Sequence, residues 1–148
     1  MCSSDLAEYT ADGKHIVFVS QLDGLVAALW IMDTEGKHKK QLTAPELEAG
    51  APDVSADGRQ IVVYNHQNTP KPTSIFKMNL DGSGLTRLTS AGHQDTLPVY
   101  SPDGKKILYM SDRQSPGSFD TYLMDADGSH KKRIIVGGFA PNWGPAER

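Results

Sequence analysis

The residues best placed to do chemistry recur in three acidic turns: Asp33-Thr34-Glu35-Gly36, Asn79-Leu80-Asp81-Gly82 and Asp125-Ala126-Asp127-Gly128. Alternating oxygen ligands closed by a glycine resemble the first half of a helix-loop-helix calcium loop. Such a loop also needs an oxygen ligand two residues earlier and a glutamate six residues after the glycine. The earlier positions hold Ile31, Lys77 and Leu123, and the later ones Leu42, Leu88 and Ile134. These segments are therefore read as hairpin turns, and no residue is assigned to a metal.

Other chemistries fail on similar grounds. A hydrolase nucleophile elbow, Gly-x-Ser-x-Gly, is absent from the sequence. Gly82-Ser83-Gly84 is followed by no phosphate-loop lysine. The five histidines, at 15, 38, 66, 93 and 130, share no period, and no two have the spacing of helical metal ligands. Gly92-His93-Gln94-Asp95 can bring His93 and Asp95 together, but the segment reads more simply as a solvated connecting loop. The sequence thus predicts no catalytic residue, no cofactor-binding residue and no cofactor.

The elements that carry these turns are set by an internal repeat. Met32, Met78 and Met124 are spaced by 46 and 46, as are Trp30, Phe76 and Tyr122; Gly36, Gly82 and Gly128; and Leu42, Leu88 and Ile134. Gly13, Gly58 and Gly104 follow at 45 and 46, with Ile16, Ile61 and Ile107 in step. In the third copy, Leu97 to Ser101, Lys106 to Met110, Tyr122 to Met124 and Lys131 to Ile135 read as four strands separated by glycine turns. Asp-Gly between apolar runs is a strong hairpin signal, because glycine enters the left-handed region without steric cost. Four antiparallel strands per 46 residues is the size of one β-propeller blade.

The strand texture agrees. Ile16 to Val19, Ile61 to Tyr64 and Ile107 to Met110 are apolar on both parities, as strands covered on both faces are. The aromatic column 30, 76, 122 reads as core between blades. Only Pro45 to Glu48 suits a helical turn. The expected fold is all-β: three consecutive four-stranded blades plus the first strand of a fourth. Blade 1 spans about 7–43, blade 2 about 50–89, blade 3 about 96–136, and the next strand about 139–145. Residues 1–6 are set aside, because Cys2 to Leu6 reads like the translated tail of a sequencing adapter (TGC TCT TCC GAT CT).

The motifs Ser101-Pro102-Asp103-Gly104, Ser55-Ala56-Asp57-Gly58 and Thr10-Ala11-Asp12-Gly13, with Leu42-Thr43, Leu88-Thr89 and Tyr122 to Gly128, resemble the repeat of TolB-like β-propellers. That resemblance covers Ala7 to about Trp143. It implies a periplasmic or other extracytoplasmic protein of six or seven blades, non-catalytic, binding a protein or peptide. The alternative it leaves open is an accessory propeller of a prolyl oligopeptidase-like serine peptidase whose catalytic domain lies elsewhere. A polysaccharide lyase on this scaffold would want a histidine cluster that the sequence does not offer.

Composition narrows the partners. With 15 Lys+Arg against 18 Asp+Glu, a net charge of -3 gives no global attraction to nucleic acid or anionic membrane. The longest apolar run, Leu25 to Met32, is eight residues, against the roughly 20 of a membrane-spanning helix. The single cysteine, Cys2, excludes an intramolecular disulfide. Lys39-Lys40, Arg87 and Lys131-Lys132-Arg133 fall on the fourth strand, where charge protects an open sheet edge.

Antiparallel order puts the near-identical Asp-Gly turns on one rim and the divergent connections on the other. Gln21 to Val26, Gln67 to Thr73 and Arg113 to Phe119 differ in every copy, so a protein or peptide ligand is expected there. Three blades cannot close a ring. The strands Ile16 to Val19 and Ile107 to Met110 are expected to line open end faces, and a homodimer of two such arcs would complete six blades.

Overall fold

The computed structural model describes residues 7–21, 27–65, 72–138 and 141–144. Residues 1–6 lie outside them, as do 139, 140 and 145 of the expected strand 139–145, whose described residues 141–144 form no strand. Three antiparallel meanders follow one another along the chain. The first holds β1 (Ala7–Tyr9), β2 (His15–Ser20), β3 (Ala28–Asp33) and β4 (Lys40–Gln41). The second holds β5 (Ala49–Val54), β6 (Gln60–Asn65), β7 (Ile75–Asn79) and β8 (Thr86–Arg87). The third holds β9 (Asp95–Tyr100), β10 (Lys106–Ser115), β11 (Ser118–Asp125) and β12 (Lys132–Ile135). A 3₁₀ turn, Pro45–Leu47, lies between the first two.

Hydrogen bonding explains why the first turn of each blade keeps its spelling. The hydroxyls of Thr10, Ser55 and Ser101 each donate to the aspartate two residues on, at 2.6 Å. Asp12, Asp57 and Asp103 in turn accept the backbone N–H of Lys14, Arg59 and Lys105 at 3.0 Å. Gly58 and Gly104 complete these turns at φ 69°, a conformation that other residues adopt only with strain.

The second glycine column has an additional cause. A Cβ on Gly82 would stand 2.9 Å from the Leu42 carbonyl oxygen, and one on Gly128 3.1 Å from that of Leu88. Each turn therefore closes directly onto the preceding blade. Gly36 occupies the same place in the first blade and would meet nothing within 4 Å. Gly104→Val should cost more than about 1 kcal/mol through conformation alone. Gly128→Ala should cost about 1–3 kcal/mol more than Gly36→Ala, because only Gly128 faces a backbone that must move. Urea unfolding midpoints of the three variants check both; equal losses at 36 and 128 would contradict the blade contact.

Core packing repeats with the sequence. Ile61, Val63, Phe76 and Met78 of the second blade pack against Val17, Leu29 and Leu42 of the first. Ile107, Tyr109, Tyr122 and Met124 of the third pack likewise against Val62, Ile75 and Leu88 of the second. Each blade thus turns the same face to its predecessor. The corresponding residues of the first blade, Ile16, Phe18, Trp30 and Met32, are only half-buried, and the buried Trp30 Nε1 has no hydrogen-bond partner.

Two expectations need correction. The strand Ile107 to Met110 does not line an open face: these residues are 0%, 7%, 0% and 1% exposed. β10 is flanked by β9 and β11, and its Ile107 and Tyr109 belong to the core shared with the second blade. Beside it, the Trp143 indole donates to the Val99 carbonyl at 3.4 Å. The apolar surface that the third blade leaves open lies instead at Ile134, Ile135 and Val136, all exposed. Secondly, Arg113 to Phe119, expected as a divergent connection, is mostly strand. β10 and β11 extend to a tight hairpin at Pro116-Gly117, with Ser115 paired to Ser118.

Candidate functional site

The rim carrying the Asp-Gly turns is chemically occupied by its own structure. Asp33 accepts the Lys37 N–H at 2.7 Å and the His38 ring nitrogen at 2.7 Å. Asp81 accepts the Ser83 N–H and hydroxyl at 2.9 and 2.6 Å, and Asp127 accepts the same pair from Ser129 at 2.9 and 2.6 Å. Asp125 accepts from Lys106 and from His130 Nδ1. Those bonds, Lys106 first, lower the Asp125 carboxyl to about 2. Carboxylates spent on turn donors are not arranged as a cation cage, and no group of three potential metal ligands occurs among the described residues. His38 and His130 prove to be equivalent residues two repeats apart, making the same bond to the same aspartate position, a partial period hidden among the five histidines.

The opposite rim is built differently. Asp95 opens β9 and is fully buried. Arg113 near the end of β10 places one terminal nitrogen 3.1 Å from each Asp95 oxygen, and its Nε donates to Ser111 Oγ at 3.0 Å. The guanidinium carbon lies 4.9 Å from the Tyr122 ring centroid and 5.8 Å from that of Tyr109. Asp112 accepts the N–H of Gln94 at 2.8 Å and that of Gly117 at 3.0 Å. Asp120 accepts the Gly137 N–H at 2.9 Å and Arg133 at 3.2 Å.

Asp95 is therefore the buried anchor of an arginine, not half of a histidine pair in a solvated loop, while His93 is half-buried. The sequence carried a signal for this pair. Aligned at one repeat, Asp95 replaces Ala49 and Arg113 replaces Gln67, so opposite charges enter two columns of the third blade together. The divergent connections of the first two blades, within Gln21 to Val26 and Gln67 to Thr73, lie largely outside the described residues.

Repeated four-stranded meanders, packed face to face with a constant register, define a β-propeller architecture, here seen as a three-bladed arc. The chain belongs to the TolB beta propeller domain family, whose profile matches residues 6–147.

Solved structures agree. A putative TolB from Agrobacterium tumefaciens is 26% identical with a TM-score of 0.72, over 87% of this chain and 49% of that one. TolB from Acinetobacter baumannii is 27% identical with a TM-score of 0.72, over 90% of this chain and 32% of that one. The chain thus spans half or less of the length of either. A puromycin-hydrolyzing peptidase of Mycobacterium tuberculosis, 15% identical with a TM-score of 0.69, shares the fold over 87% of this chain and 23% of its own. Comparison with curated proteins gives no significant match.

Proposed function

We propose that this chain is a non-catalytic module that binds a protein or peptide on the rim formed by the β2–β3, β6–β7 and β10–β11 connections, in an extracytoplasmic compartment. The observation that supports this reading is the contrast between the rims. Turn carboxylates on one rim are consumed by near-identical internal bonds, whereas the other carries different residues in each copy on a braced scaffold. At the third blade, the Asp95–Arg113 and Asp112 contacts hold a hairpin whose Gln114, Ser115, Pro116 and Gly117 are exposed.

The test is selection of random twelve-residue peptides from a phage library on the immobilised chain. Selected peptides should lose at least tenfold in affinity on Gln114→Lys with Ser115→Lys, and keep it on Lys37→Glu at the opposite rim. Loss confined to Lys37→Glu would place the ligand on the wrong side for this reading. Purified chain should also leave peptide esters and oligogalacturonides intact; turnover abolished by His93→Ala would overturn the non-catalytic assignment.

A second reading, an accessory propeller of a serine peptidase, draws on the shared fold of the puromycin-hydrolyzing peptidase. Flanking gene sequence separates the two, since a downstream domain with Gly-x-Ser-x-Gly favours the peptidase.

A further inference from the structure

Two carboxylates meet where the first strands of adjacent blades run side by side. Glu8 on β1 and Asp53 on β5 are both half-buried and hydrogen-bonded to each other. Each also accepts a backbone N–H from the following blade: Glu8 Oε2 from Val54 at 2.7 Å, and Asp53 Oδ2 from Tyr100 at 2.6 Å. Glu8 and Asp53 are one repeat apart, as are Val54 and Tyr100, so one type of bond secures two successive junctions. In the third blade the equivalent residue is Val99, which offers its backbone carbonyl to Trp143 instead.

Ionised carboxylate oxygens only accept hydrogen bonds, so two carboxyl groups in direct contact need a proton between them. The surrounding groups reinforce this. The charge that acts on Glu8 is Asp53, and no cation contributes to the shift of either residue. From β9, Tyr100 faces Asp53; it is buried, and its hydroxyl has no partner. The Tyr100 phenol is pushed up by burial, then by the charges of Asp53 and Asp57.

We propose that Glu8 and Asp53 hold one proton in common and that its loss loosens the junction between the first two blades, making this arc tighter in mildly acidic than in alkaline solution.

Burial first, then the Asp53 charge, pushes Glu8 up to about 7, and burial pushes Asp53 up to about 6. Both values stand above those of the unfolded chain, so the folded state binds more protons between about pH 4 and 7. The contribution is complete below the unfolded values and is lost as pH rises through 6 to 7. The His38–Asp33 and His130–Asp125 contacts are common to every variant, so the diagnostic quantity is the difference between variants.

Thermal unfolding of the full chain at constant ionic strength is compared at pH 5.5 and pH 8.5. The wild-type midpoint should fall by roughly 3–6 °C, and Glu8→Gln, which still accepts from Val54, should remove most of that fall. Glu46→Gln on the exposed 3₁₀ turn should leave it unchanged. A wild-type slope retained in Glu8→Gln would overturn the proposal. Should Glu8→Gln fail to fold, carboxyl ¹³C shifts of the wild type decide: a Glu8 midpoint above about 6 supports the shared proton, and midpoints below about 5 for both residues overturn it.

Discussion

Arg113→Ala should destabilise the chain by about 3 kcal/mol, because it strands the fully buried Asp95 carboxylate without its counter-charge. The loss has two parts. Removing one member of a buried pair leaves the desolvation cost of the other uncompensated, and it also removes a cation from over the Tyr109 and Tyr122 rings. Arg113 is itself 21% exposed, which places the effect at the lower end for such pairs. Arg113→Lys should rescue little, since one ammonium cannot reach both oxygens, donate to Ser111 and cover two rings. The double change Asp95→Ala with Arg113→Met should lose less than Arg113→Ala, because no unpaired charge stays buried. Urea unfolding at pH 7 measures all three; a loss below about 1 kcal/mol for Arg113→Ala would mean that Asp95 is solvated in its place.

The second large effect concerns association. The chain should sediment at micromolar concentration as a dimer or larger species, and Phe18→Asp or Ile134→Asp should each return it to monomer with at least a tenfold weaker association. The repeat supplies the reason. Leu42 packs under Ile61, Val63, Phe76 and Met78, and Leu88 packs under Ile107, Tyr109, Tyr122 and Met124. Ile134 is the next residue of the leucine column and is 43% exposed. Ile16, Phe18, Trp30 and Met32 are the preceding set of the other column and are half-buried.

A second copy would therefore seat its Ile134 where Leu42 and Leu88 sit within this one. Two such junctions about a two-fold axis would give six blades and cover both ends. Burying either surface removes apolar area that a soluble monomer seldom leaves open. A monomer that unfolds cooperatively and binds no apolar dye would dispose of this association.

Much of the architecture is written locally. Each Ser/Thr-x-Asp-Gly turn is closed by bonds between residues two to five apart, so its chemistry is visible in any stretch of six residues. The 46-residue columns then place equivalent side chains on equivalent faces, because the two-residue period of a strand leaves no other choice once the turns are set. Strand order and the aromatic column at 76 and 122 follow from these two facts alone.

What the tertiary structure decided is which charges meet. Glu8 with Asp53 and Asp95 with Arg113 are separated by 45 and 18 residues, and neither pair has a spacing that any local rule recognises. The first depends on how closely two blades approach. The second depends on β10 running on to Ser115 instead of ending at Met110, which brings Arg113 over two tyrosine rings. The apolar texture of Ile107 to Met110 marked both faces of β10 for cover, but only the packing of whole sheets determined that this strand is interior and that the open apolar surface lies at Ile134 to Val136.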